Sequence, residues 1–236
     1  ARLIADQLEA TSGKIDFASG MNQFVWDMNY PPAEKIDNMI LWNGNIGTVK
    51  AAPGKYMARF RYEKDSVEVP FVIKDDPAYK MAEADDDATV GFLLAVKNKF
   101  SEIQQAIKNI RSVRTQINDF TAKLDTAGTK DIRKHADSIN KKLTTIEEAL
   151  YQTKAKSGQD VLNYPIRLND KLSGVFNVVA SGHTPPSKQA REAFDELGGQ
   201  ADTQLTALKK IFTDDLKGFN QLINEKRLPV IGVKQE

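Results

Sequence analysis

Apolar and polar residues alternate with a period of two in the first third of the chain. Phe24, Trp26 and Met28 alternate with Gln23 and other less bulky neighbours, the pattern of a strand with one buried face. The predicted strands occupy residues 24–28, 56–62 and 67–73, with a Pro-Gly turn at 52–55 and a hairpin loop at 64–66. We predict a small antiparallel β-sandwich of the immunoglobulin or fibronectin kind over residues 1–78.

The period changes to that of a helix after Pro77, since a proline biases the residue before it away from helix. Apolar residues then recur at spacings of three and four over residues 96–124, 132–150, 159–180 and 190–219. Pro165 is expected to begin or kink the third helix, and Gly198-Gly199 to kink the fourth or admit a close neighbour. We predict an antiparallel helical bundle over residues 79–236, which makes the chain α+β with two domains.

The apolar stripes have two possible partners. They could form a coiled coil between chains, but four helices joined by short breaks favour burial within one chain.

Composition excludes some classes of function. The chain has 33 Lys and Arg against 32 Asp and Glu, so it has no global field to hold nucleic acid. No apolar run approaches the roughly 20 residues that cross a bilayer. The chain opens without a Met or a signal segment, which indicates a processed or excised chain. It has no cysteine, which is compatible with either cytoplasm or periplasm.

Candidate catalytic and metal-binding residues are few. Asp85, Asp86 and Asp87 precede the first helix stripe and are expected to complement the helix dipole and cap free amides. The alternative is a calcium site, but three consecutive aspartates lack the spacing and glycine turn of a calcium loop. His135 and His183 are the only histidines and are expected at the surface. We predict no catalytic residue, no metal and no cofactor.

Three aromatic residues are candidates for ligand binding. Trp26, Trp42 and Tyr56 fall in the predicted sandwich, where exposed coplanar rings would stack on sugars. Burial in the sandwich core is the alternative and is commoner for such residues.

Two parts of the sequence resemble a known family. They are residues 20–31 (GMNQFVWDMNYP) with 52–56 (APGKY), and residues 153–172 (TKAKSGQDVLNYPIRLNDKL). Both are similar to the C-terminal region of bacterial sortilin-like, BNR-repeat β-propeller proteins, often labelled glycosyl hydrolases. The resemblance implies an extracellular or periplasmic protein whose propeller lies upstream of this chain, and it carries no catalytic residue onto it.

These observations predict a noncatalytic accessory or interaction module whose partner is the upstream propeller. A carbohydrate-binding module is the alternative, based on the three aromatic residues. A hydrolase in its own right is the third hypothesis and requires two acids that face one cleft.

Overall fold

The computed structural model describes residues 19–78, 81–124 and 129–226. In this part of the chain the elements are β1 (Gly54–Tyr62), β2 (Asp65–Ile73), α1 (Glu83–Ala122), α2 (Lys130–Leu150), α3 (Leu168–Ala180), α4 (Lys188–Lys210) and α5 (Leu216–Glu225). A 3₁₀ turn at Gly158–Leu162 precedes α3, and a π-helical segment at Ile211–Asp215 joins α4 to α5. Residues 1–18 of the predicted sandwich lie outside the described residues.

The prediction of a β-sandwich is wrong. The described residues are 58% helical and hold a single sheet of two antiparallel strands. Residues 24–28 form no strand, and Met28 has a φ of 60°, which lies outside the strand region. Asn29, directly after this segment, forms an isolated antiparallel β-bridge with Lys50. Alternation of apolar and polar residues is a property of a single strand, but a strand is stable only when it pairs with another. Residues 24–28 have no partner strand among the described residues.

The hairpin itself lies close to its predicted position. β1 and β2 include both predicted stretches, and Tyr62 pairs with Asp65. The connection is therefore Glu63-Lys64 rather than residues 64–66. Glu63 takes a φ of 52°, the positive value that a two-residue hairpin turn requires.

The described residues do have the helical-bundle content that the sequence predicts. α1 has 40 residues and is about 60 Å long, and it packs against α2, α3 and α4. The apolar stripe of α1 is buried from Val96 to Ile117, and every stripe residue of α2 is buried. The stripes therefore pack against each other within one chain.

Two glycines and a proline had predicted roles in the helices. Pro165 lies just before α3, so it precedes the helix and does not kink it. α4 runs through Gly198 and Gly199, and a Cβ at either position would meet nothing within 4 Å. The prediction of a close neighbour there is therefore wrong, and the helical irregularity lies at Ile211–Asp215 instead.

Residues 30–50, which precede the hairpin, pack on the helical bundle. Tyr30, Ile46 and Val49 share one buried apolar cluster with the helices. Buried Lys97 on α1 donates a hydrogen bond to the carbonyl of Pro31 at 3.1 Å. Residues on both sides of position 78 therefore belong to one core. Neither strand of the hairpin packs extensively against a described helix.

Candidate functional site

The two faces of the hairpin differ in chemistry. One face is apolar and is formed by the cross-strand pairs Tyr56–Phe71, Ala58–Val69 and Phe60–Val67. The other face carries Lys55, Arg59, Arg61 and Glu68, with Arg59 and Glu68 joined by an ion pair of 2.7 Å. Directly opposite residues of an antiparallel pair project to the same side, so the division follows from the register.

The apolar face is covered at its base and open toward its tip. Tyr56 is buried, whereas Phe60, Val67 and Val69 are 52%, 62% and 47% exposed. We call Ala58, Phe60, Val67 and Val69 the hairpin face. Nine of the twelve exposed large apolar residues of the described chain lie on the hairpin or before it in sequence: Met21, Phe24, Val25, Met28, Trp42, Phe60, Val67, Val69 and Val72. Phe60, Val67 and Val69 therefore form an exposed apolar patch on one face of the hairpin, which marks a candidate interaction site.

An aromatic cluster anchors the base of the hairpin face. Trp26 meets Tyr56 edge-on, with ring centroids 6.3 Å apart, and meets Phe71 at 6.1 Å. The Tyr56 hydroxyl donates to the carbonyl of Ala52, and the Trp26 indole donates to the carbonyl of Asn29. The rings of Trp26 and Tyr56 are inclined by 62°. These two predicted ligand residues therefore meet, but without a coplanar surface.

Trp42, the third predicted ligand residue, lies in a different setting. Its backbone N–H and that of Asn43 donate to the two carboxylate oxygens of Asp170, at 2.8 and 2.9 Å. Ser173 donates to the carbonyl of Gly44, and Asn177 donates to the carbonyl of Asn43. The loop is thus held against α3, while the Trp42 side chain is 52% exposed. The three aromatic residues fall in two settings, and sugar binding by them stays a prediction.

The three consecutive aspartates lie near the start of α1, within the helix. The helix begins at Glu83 after Ala82, and no side chain caps it, so the capping role predicted for them is wrong. Asp85 and Asp86 do lie in the first turn, where carboxylates complement the helix dipole. Because the three aspartates are consecutive, their negative charges also repel one another.

A cavity of about 590 Å³ lies between the base of the hairpin and the start of α1. Asp75, Glu83, Asp86 and Asp87 line it, together with Lys55. Burial raises the pKa of Asp86, and the charges of Asp75, Asp87 and Asp85 raise it further. Among the described residues no group of three or more His, Asp or Glu side chains is placed to hold a metal ion.

The two histidines are exposed, His135 on α2 and His183 in the loop between α3 and α4. None of the described helices is both long enough and apolar enough to span a membrane.

Sequence reasoning missed the residues that organise these sites. Phe60, Val67 and Val69 belong to the predicted sandwich, whose second sheet would cover them. The described residues contain no second sheet, so these three side chains are exposed. Asp170 carried no signal of its own, although it lies within the stretch 153–172 that resembles a known family.

No protein-family model matches this chain, and no curated protein and no solved structure matches it either.

Proposed function

We propose that this chain is a noncatalytic interaction module and forms the C-terminal part of a larger exported β-propeller protein. In this proposal the hairpin face of the chain docks on an apolar sheet surface of the upstream propeller. The resemblance of residues 20–31, 52–56 and 153–172 supports the propeller partner. The observation that carries the docking is the exposure of Phe60, Val67 and Val69 on a hairpin that packs extensively on no described helix.

Docking through the face fits this hairpin better than addition of a strand at its edge. Pro70 lies in the middle of β2, and proline has no N–H to donate. Because β2 pairs with β1 along its whole length, the outer edge of β2 lacks a donor near its centre. On β1, Arg59 and Arg61 add charge, which disfavours strand addition.

The expected affinity favours a partner in the same polypeptide. Each residue of the hairpin face is already partly covered, so complete burial yields about 1 kcal/mol per side chain. Four such side chains give about 4 kcal/mol, which corresponds to dissociation near 1 mM before the costs of association. A tethered domain is present at an effective concentration of about that size. Weak contacts of this kind therefore suffice within one polypeptide and fail between separate molecules.

Thiol labelling can test this proposal because the chain contains no cysteine. Val67→Cys places one thiol on the hairpin face, and its labelling rate is measured in the 236-residue chain and in the full-length polypeptide. We expect labelling to be about twofold slower in the full-length polypeptide, because a dissociation constant close to the effective concentration leaves the face docked in about half of the molecules.

Val178→Cys is the matched control, since Val178 is also an exposed valine, at 71%, but lies on α3. Its labelling rate should be the same in both polypeptides. Equal rates at Val67→Cys in both polypeptides would contradict docking by the hairpin face. A reading frame that encodes no β-propeller upstream would contradict the identity of the partner.

A carbohydrate-binding module is the second candidate, and one observation favours it. Trp42 exposes half of its side chain while its backbone is held by Asp170, so its ring is presented without the entropic cost of ordering a loop. Binding to a glycan array that is lost in Trp42→Ala and kept in Val178→Ala would support this role. An array without any binding would remove it.

A further inference from the structure

A second cleft lies on the helical bundle, and it is distinct from the hairpin face. It has a volume of about 310 Å³, at the lower end of the range for small-ligand sites. Residues of α2, α3 and α4 line it, together with the segment that leads into α3: Ala149, Ile166, Arg167, Leu168, Lys171, Gln200, Thr203 and Gln204.

The charged groups that line this cleft all have the same sign. Arg167 is the residue that precedes α3, and Lys171 follows one turn later. No carboxylate lines the cleft. Neither Arg167 nor Lys171 forms an ion pair with a described residue, although nine such pairs occur elsewhere in the described chain. Two exposed cations, one helical turn apart in the lining of this cleft, are thus left without an ion-pair partner among the described residues.

The nearest acid on α3 is directed elsewhere. Asp170 lies between Arg167 and Lys171 in sequence, but both of its carboxylate oxygens accept hydrogen bonds from the backbone of Trp42 and Asn43. The first turn of α3 therefore presents its negative charge to the loop and its positive charges to the cleft. The positive end of the helix dipole adds to the attraction for an anion on the cleft side.

The neutral groups of the cleft suit the same kind of ligand. Gln200, Gln204 and Thr203 on α4 add amide and hydroxyl groups to the lining. The Gln200 amide also donates to the Glu196 carboxylate at 3.2 Å, and the Thr203 hydroxyl donates to the carbonyl of Gly199 at 3.0 Å. A guanidinium binds two oxygens of a phosphate or carboxylate with a planar pair of donors, and an ammonium adds a compact charge. The volume accommodates one such group with a small body attached.

We infer that this cleft, which we call the basic cleft, binds an oxyanion, namely a phosphate, sulfate or carboxylate group of a small ligand. Arg167 and Lys171 supply the charge, and the amide groups of Gln200 and Gln204 on α4 provide hydrogen bonds to the oxygens. The inference does not depend on the hairpin face, because the two sites share no residue.

The test is a titration of the 236-residue chain with sodium phosphate at constant ionic strength, followed by the backbone amide NMR signals of Leu168, Asn169 and Lys171. We expect saturable shifts at these signals. Parallel titrations with sulfate and with acetate distinguish a tetrahedral oxyanion from a carboxylate, and the tighter of the two identifies the group.

The double variant Arg167→Gln, Lys171→Gln should weaken the binding at least tenfold. The matched control is Lys209→Gln, Lys210→Gln, which removes the same charge from two exposed residues at the end of α4 and should leave the binding unchanged. Equal weakening in both double variants would show an effect of net charge alone and would overturn the inference. Shifts that stay linear with all three anions would overturn it as well.

Discussion

The carboxylate of Asp170, at the start of α3, accepts a hydrogen bond from the backbone N–H of Trp42, 128 residues earlier in the chain. Its second oxygen accepts from the N–H of Asn43. A buried side chain thus satisfies two consecutive backbone donors of a loop that has no strand partner. The contact joins the loop before the hairpin to the bundle and fixes where the Trp42 ring is presented.

Asp170→Asn is expected to destabilise the protein by about 2 kcal/mol, because an amide keeps one acceptor oxygen and turns an NH₂ group toward the other backbone N–H. Urea denaturation measures the loss, and hydrogen exchange at Trp42 and Asn43 locates it. Asp195→Asn, at an exposed position of α4, is the control and should change stability by less than about 0.5 kcal/mol. Unchanged exchange at Trp42 in Asp170→Asn would contradict the proposed role of the carboxylate.

Gly174→Ala and Gly91→Ala are expected to have different effects on stability, although both glycines lie inside helices. A Cβ at Gly174 would lie 3.1 Å from the side-chain nitrogen of Asn43, whereas a Cβ at Gly91 would meet nothing within 4 Å. Gly91→Ala should therefore stabilise the protein by about 0.5–1 kcal/mol through helix propensity. Gly174→Ala should lose that gain, because Asn43 must move. Equal stabilisation in thermal unfolding would show that the loop yields freely.

Glu147→Gln tests the ion pairs that join Glu147 of α2 to two arginines of α1. Glu147 is buried, and its oxygens accept from Arg111 at 2.8 Å and from Arg114 at 2.7 Å. The substitution should cost about 1–2 kcal/mol, less than a fully buried pair, because both arginines are partly exposed and can be hydrated. The neighbouring Glu148→Gln is the control, since Glu148 has no ion pair among the described residues, and denaturation should find it near neutral. Similar losses in both variants would argue against a specific role for the two arginines.

Asp86→Asn should raise the melting temperature at about pH 7 and leave it unchanged at about pH 3. The folded-state pKa of Asp86 lies above its ordinary value of 3.8, first because of burial and then because of neighbouring acids. A raised carboxyl pKa means that the folded state is favoured below the unfolded pKa and loses that stability as the pH rises through the folded pKa. Asp137→Asn, exposed on α2, should show no such gain. A lower melting temperature for Asp86→Asn at neutral pH would contradict a destabilising effect of the ionised Asp86 carboxylate.

The stripes of α1 and α2 show what can be predicted from residue order. Val96, Phe100 and Ile103 recur with the period of one helix, and that period is a property of the local backbone, so the helices followed from the sequence. Arg114, which interrupts the stripe of α1, pairs with Glu147 of α2. That pairing depends on how two helices are set against each other, and no local pattern encodes it.

The aromatic residues show why the candidate sites were harder to predict. Phe24, Trp26 and Met28 alternate like a strand, yet only Trp26 packs on the hairpin, and the other two are exposed. Alternation predicts which side chains share a side of a strand, but it does not supply the second sheet that would cover them. Whether an apolar side chain becomes core or interaction surface is decided by contacts distant in sequence.

The sequence by itself therefore determined the helical character of the chain after Pro77, the position of the hairpin and the alternation of its two faces, because these depend on backbone periods of 3.6 and 2 residues. Only the tertiary structure decided that residues 24–28 form no strand, that the hairpin face is open, that Asp170 holds Trp42 and that Arg167 and Lys171 line one cleft. The physical reason is that burial and hydrogen bonding join groups more than a hundred residues apart, and their pairing is selected by the packing of the whole chain.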